Sequence, residues 1–122
     1  MGYRELIVWQ KSYTATKEIY SASEEFPEEE RYAMQSQIRR AAMSIPLNIA
    51  EGYSKQESAA EFGRFLRMSI GSANEVLVLL EFAKDFGYMS KAESERLSEA
   101  YTEICKMLHG LQKSRTPRTP NT

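Results

Sequence analysis

Cys105 and His109 stand four residues apart and are the only thiol and the only imidazole in this 122-residue chain. They are therefore its one candidate nucleophile-and-base pair. Four residues is about one helical turn, which places both on a common helix face. A working dyad also needs a third group to orient the base and donors for an oxyanion, and neither is identifiable. Cys105 is read as a buried structural cysteine, and His109 as a surface residue close to a helix C-terminus. Metal chemistry has less support. Di-iron helical bundles use Glu-x-x-His on two helices; here the residue three before the single histidine is Lys106, a cation where a carboxylate is required. No Cys/His cluster suits zinc. Gly52, Gly63 and Gly71 are isolated rather than gathered into a phosphate loop. We expect no enzymatic activity, no cofactor and no metal.

The positions that remain chemically interesting are polar ones on helices. Gln37, Arg40, Ser44, Asn48 and Glu51 are spaced 3, 4, 4 and 3, so they share one face. Arg64 and Glu75, eleven residues apart, share a face further on. One reading is a polar network between two helices, with Arg40 or Arg39 paired to Glu75. The other is phosphate binding by Arg39, Arg40, Lys55, Arg64 and Arg67. A partly buried arginine needs a partner, so the network is preferred at Arg40, while both readings stand for the other four. The net charge of -1 excludes a uniformly basic nucleic-acid binder. From Gln35 to Ile70, however, those five cations face only Glu51, Glu57 and Glu61. The last ten residues carry Lys113, Arg115 and Arg118 without an acid.

Helices must position these groups. Leu6, Trp9, Tyr13, Thr16 and Tyr20 form a 3/4-spaced seam and predict a first helix from Leu6 to Glu24. Phe26-Pro27 ends it, and Pro27 can open a second helix. That helix runs to Glu51 with Gly52 as its stop, and its core stripe is Met34, Ile38, Ala42, Ile45 and Ile49. Pro46 lies inside it, where proline ordinarily costs about 3 kcal/mol. Ser54 with Glu57 and Ser58 with Glu61 both read as capping boxes for a third helix, and the second is favoured. The third helix reaches Phe86, with Gly87 as its stop, and carries two seams. One is Phe62, Leu66, Ser69, Ala73, Val76, Leu80 and Ala83; the other is Phe65, Met68, Ser72, Glu75, Leu79, Phe82 and Phe86. A single core needs one face, so the second seam needs a second partner. This makes Phe65, Met68, Leu79, Phe82 and Phe86 candidate oligomer contacts. Gly63 and Gly71 on this helix are expected to admit a close helix neighbour. Ser90 and Glu93 cap a fourth helix with seam Leu97, Tyr101, Ile104, Leu108 and Leu111.

The expected fold class is all-α: an antiparallel up-down-up-down four-helix bundle over residues 1–112, followed by a disordered basic tail at 113–122. No apolar run approaches the roughly 18 residues a membrane crossing needs, and no secretory signal is visible. A single cysteine suits a reducing compartment, so the expected location is cytoplasmic.

Five segments carry a resemblance: VWQKSY at 8–13, FPEEERY at 26–32, SQIRRAAMSIPLNIAEG at 36–52, EFGRFLRMSIGSANE at 61–75 and FGYMS at 86–90. With these the chain resembles the bacterial four-helix-bundle family of 23S rRNA intervening-sequence proteins, over nearly everything up to residue 112. The proline inside a helix followed by Asn-Ile-Ala-Glu-Gly is the most specific of them. The resemblance implies a homopentameric ring without enzymatic activity. The family is similar to accessory proteins of diversity-generating retroelements, whose basic rings bind nucleic acid and partner with a reverse transcriptase. The partners implied are further copies of the same chain, RNA or DNA, and a protein.

Overall fold

Among the described residues, the 3/4 spacing of apolar residues produces four α-helices: α1 Ile7–Ser23, α2 Met34–Tyr53, α3 Ala59–Asp85 and α4 Lys91–Arg115. They are seen in a computed structural model, in which residues 2–115 are described. Short 3-10 turns, Tyr3–Glu5 and Glu28–Glu30, precede α1 and α2. No strand occurs among the described residues, and none of the helices there is long and apolar enough to cross a membrane. The helices share one core, with α2 against α1 and α3, and α4 closing against α3 and α1.

The first α3 seam is buried without exception, from Phe62 to Ala83. The α2 stripe from Ile38 to Ile49 and the α4 seam from Leu97 to Leu108 are equally enclosed. Each large aliphatic or aromatic side chain removed from water in this way contributes roughly 1.5–3 kcal/mol. The Ser58 hydroxyl caps α3 by accepting from the Glu61 amide at 3.1 Å, and Ser90 does the same for Glu93 at 3.1 Å. Of the two candidate caps before α3, Ser58 is therefore the one used. Ser54 instead donates to the Glu51 carbonyl. Gly87, at φ +80°, ends the run after α3 in the left-handed region open to glycine.

Buried hydroxyls join the helices. Thr16 on α1 donates to the Ala42 carbonyl at 3.1 Å, Ser69 on α3 to Ile45 at 3.0 Å, and Ser94 on α4 to Leu80 at 3.1 Å. The first of these accounts for Pro46. A regular helix would satisfy the Ala42 carbonyl from the amide four residues on, and that residue is the proline. The α1 hydroxyl stands in for the missing donor.

Several expectations are corrected. The core face of α1 is Val8, Ser12, Ala15, Ile19 and Ala22, not the aromatic seam: Thr16 alone of that seam is fully buried, and Tyr13 and Tyr20 are exposed. Pro27 opens only the Glu28–Glu30 turn, and α2 begins at Met34. The intervening Glu28–Ala33 stretch has no apolar face to bury, and Tyr32 is 88% exposed. Gly52 does not stop α2, which passes through it to Tyr53. A Cβ at Gly52 would lie 2.8 Å from Phe65 Cβ and 3.1 Å from Phe62 Cδ1, so glycine serves the close approach of α3. Gly71, by contrast, has nothing within 4 Å of where a Cβ would lie, so no helix of the same subunit approaches it closely. Finally, α4 continues to Arg115, which makes Lys113 to Arg115 helical rather than tail. The remainder of the expected disordered tail lies outside the described residues.

Candidate interaction surfaces

The polar stripe on α2 meets α3 at two of its five positions, Gln37 and Ser44. Gln37 Nε2 donates to Glu75 Oε2 at 3.2 Å, and Ser44 Oγ to Ser72 Oγ at 2.5 Å. Asn48 turns back to the Ser44 carbonyl at 2.8 Å, and Glu51 serves Ser54. The polar network thus exists, but Glu75 pairs with Gln37 and not with an arginine. Arg40 is exposed and has no ion pair or hydrogen bond among the described residues.

The five candidate phosphate-binding cations do not converge. Arg39 is fastened to the end of α1. Its Nε donates to Ser23 Oγ at 2.7 Å, its Nη2 to the Tyr20 carbonyl and to Glu24 Oε1, both at 3.0 Å, and its guanidinium lies over the Tyr20 ring. With Gln35, which donates to the Ser23 carbonyl at 2.8 Å, it adds a second donor to carbonyls at the C-terminus of α1. Arg64 forks onto Glu61 with bonds of 3.0 and 3.2 Å. That hydrogen bond holds the Glu61 carboxyl below its usual range and raises Arg64. Arg64 and Lys55 cover the Phe65 ring, with their charged atoms 4.4 and 5.6 Å from its centre. Arg67 lies by Gly63, toward α4. Arg40, Lys55 and Arg67 remain without an ion-paired carboxylate among the described residues.

Cys105 is half-buried, not buried as expected. The Cys105 thiol donates to Asn74 Oδ1 at 3.7 Å, and burial raises its pKa, which disfavours the reactive thiolate. His109 is exposed.

Of the proposed oligomer contacts, Met68, Phe82 and Phe86 are exposed, Phe65 is half-buried beneath its two cations, and Leu79 belongs to the subunit core. Val78, absent from the second seam, joins the exposed group at 53%. At its far end this face runs into an aromatic chain, Phe82, Phe86, Tyr88 and Phe26, with ring centres 5.6–5.7 Å apart. Tyr88 donates to Glu30 Oε2 at 2.8 Å, and this bond raises the phenol pKa. The FPEEERY and FGYMS segments thereby meet in space.

A second apolar surface escaped sequence reasoning. Tyr3, Trp9, Tyr13, Tyr20, Met43 and Leu47 wall a groove of about 580 Å³ between α1 and α2, floored by Pro46, Thr16 and Ala50. Trp9 and Tyr13 stack with centres 5.0 Å apart, and Leu47 is 63% exposed. A signal was present: Met43 and Leu47 lie four residues apart on α2, outside its core stripe.

The fold has a known counterpart. A crystal structure of a protein of unknown function from the S23 ribosomal protein family of Bacteroides thetaiotaomicron VPI-5482 is similar, with a TM-score of 0.80 and 29% identity over 88% of this chain and 99% of that one. No curated protein matches the chain. The sequence profile described as 23S rRNA-intervening sequence protein matches residues 4–110, spanning all the segments quoted above, and this chain belongs to that family.

Proposed function

We propose that the protein is a non-catalytic, self-assembling antiparallel four-helix bundle of the cytoplasm, whose homo-oligomer binds nucleic acid or assists a nucleoprotein assembly. The observation that carries the reading is the exposed apolar face of α3. A monomer of this size seldom keeps Met68, Val78, Phe82 and Phe86 in water together. Burial between subunits would remove them from it. A closed ring, five-membered as the family resemblance implies, would repeat Arg40, Lys55 and Arg67 around an axis and turn weak single contacts into avid ones.

The dispersal of those cations on one subunit favours a second reading, a scaffold that displays a surface to a protein partner and binds no nucleic acid. Light scattering on the eluting protein, joined to binding of labelled RNA and DNA at about 50 and 200 mM salt, separates the two. Phosphate contacts make affinity fall steeply over that range. An oligomer whose binding weakens with salt, and weakens further in an Arg40→Glu/Arg67→Glu variant, supports the first reading. An oligomer that binds neither at low salt supports the scaffold. A monomer at all concentrations overturns the assembly reading.

A further inference from the structure

The two exposed apolar surfaces are complementary in charge as well as polarity. The α1/α2 groove carries cations on its tyrosines: Lys17 Nζ lies 4.8 Å from the Tyr13 ring centre, and the Arg4 guanidinium 5.1 Å from that of Tyr3. Neither has an ion-paired carboxylate among the described residues. On α3 and its C-cap, Val78, Phe82 and Phe86 recur every four residues and form a ridge that is 53%, 47% and 55% exposed. Glu81 and Asp85 border this ridge on the same helix. Glu81 is unpaired among the described residues, and Asp85 has only its neighbour Lys84 at 3.9 Å.

We propose that the occupant of the α1/α2 groove is the Val78–Phe82–Phe86 ridge of a second copy of this chain. An apolar stripe with an acidic border fits an aromatic groove with a basic rim, as an amphipathic helix fits a groove in peptide recognition. Groove and ridge occupy different surfaces of one subunit, so the contact is head-to-tail. Each copy then keeps one free groove and one free ridge, and assembly continues until a ring closes. This pairing rests on the self-assembly reading above and specifies its interface.

The test mixes two variants, each with one face spoiled at an exposed position. Leu47→Asp damages the groove and leaves the ridge; Phe82→Asp damages the ridge and leaves the groove. Circular dichroism first establishes that both keep wild-type helix content. Each alone should elute as a monomer, and the equimolar mixture as a 1:1 heterodimer and nothing larger. A homodimer of either variant would reveal a symmetric contact and overturn the pairing. So would a mixture that stays monomeric while the wild type assembles. A monomeric wild type would instead remove the assembly reading itself.

Charge variants supply a test that leaves the apolar contacts intact. Lys17→Glu or Glu81→Lys alone should raise the concentration of half-dissociation by roughly threefold, as expected for a rim pair. The double variant should return it toward wild type. Failure of that reversal overturns the pairing of Lys17 with Glu81 across the contact.

Discussion

The hydroxyl that replaces a missing amide can be tested by a double-mutant cycle at Thr16 and Pro46. Thr16 Oγ1 faces two carbonyls with one proton: Ser12 at 2.7 Å on its own helix and Ala42 at 3.1 Å on α2. Ser12 retains its ordinary backbone donor, the Thr16 amide, whichever way the hydroxyl points. Ala42 does not, because its backbone donor would come from residue 46. Thr16→Val keeps the shape and removes the hydroxyl. With Pro46 present, the Ala42 carbonyl is then orphaned in a site that water scarcely reaches, Thr16 being 8% exposed. Such a group costs about 1–3 kcal/mol. With Pro46→Ala, the new amide satisfies Ala42 directly, and the same Thr16→Val change removes only a redundant bond, worth about 0.5 kcal/mol at the low end of the net range. The expected coupling is about 1 kcal/mol, with Thr16→Val the more harmful beside proline. Pro46→Ala also changes ring packing, but that contribution is common to both arms and cancels. So does any contact of the Tyr101 hydroxyl with Thr16. Urea unfolding of the four proteins at one fixed protein concentration measures the coupling, with the slopes compared as a check on the unfolded state. Additive effects, within about 0.3 kcal/mol, would show that the Thr16 proton serves Ser12 and that α2 tolerates Pro46 by another route.

Gly52→Ala should destabilise by about 1 kcal/mol or more, since the clash with the Phe65 Cβ outweighs alanine's better helix propensity, whereas Gly71→Ala, with open space around it, should stabilise by about 0.5–1 kcal/mol. Thermal melts showing the same sign for both would refute the close-approach role. Ser58→Ala should cost about 1 kcal/mol, while Ser54→Ala should be nearly neutral in chemical denaturation, because only Ser58 caps α3. Among the described residues the buried Tyr101 hydroxyl makes no hydrogen bond of ordinary geometry, only a weaker polar contact with Thr16, so Tyr101→Phe should stabilise the fold by about 1 kcal/mol; a loss of stability would show that the Thr16 contact is a full hydrogen bond. Leu79→Arg should unfold the subunit, not merely separate subunits, because it puts an unpaired charge into the core at a cost on the order of 3 kcal/mol or more; a helical monomer by circular dichroism would refute this.

Where side chains differ in character around a helix, sequence periodicity located the core well. The seven-residue seam of α3 and the stripe of α2 show this, and Ser58, favoured over Ser54 as a cap, is the one used. Periodicity failed on α1 because two seams satisfy it equally. Trp9, Tyr13 and Tyr20 look like core by size, yet Val8, Ser12, Ala15, Ile19 and Ala22 keep the same 4/3 rhythm with smaller side chains. The close contact of Thr16 with the α2 backbone favours the small face, and that contact is not visible in one helix read alone. The arginines illustrate a related difficulty. Arg39 and Arg40 are adjacent in sequence, but about 100° apart on the helix. One therefore secures the end of α1, and the other stands in solvent.

The residues that break local rules gather on one surface. Pro46 would weaken an ordinary helix interior, Leu47 and Met43 are apolar in solvent, and Tyr13 and Tyr20 present rings outward. All five line the α1/α2 groove, and so does Thr16, whose hydroxyl makes the proline tolerable. A sequence under selection for subunit stability alone would favour alanine at 46 and polar groups at 43 and 47. Departures from local consistency tend to mark functional positions, and here they coincide in space although they come from two helices. The exposed ridge of α3 departs from the same rule in the same way. Two such surfaces on one small subunit, opposite in border charge, are explained together by mutual contact, whereas separate partners for each would require two independent coincidences.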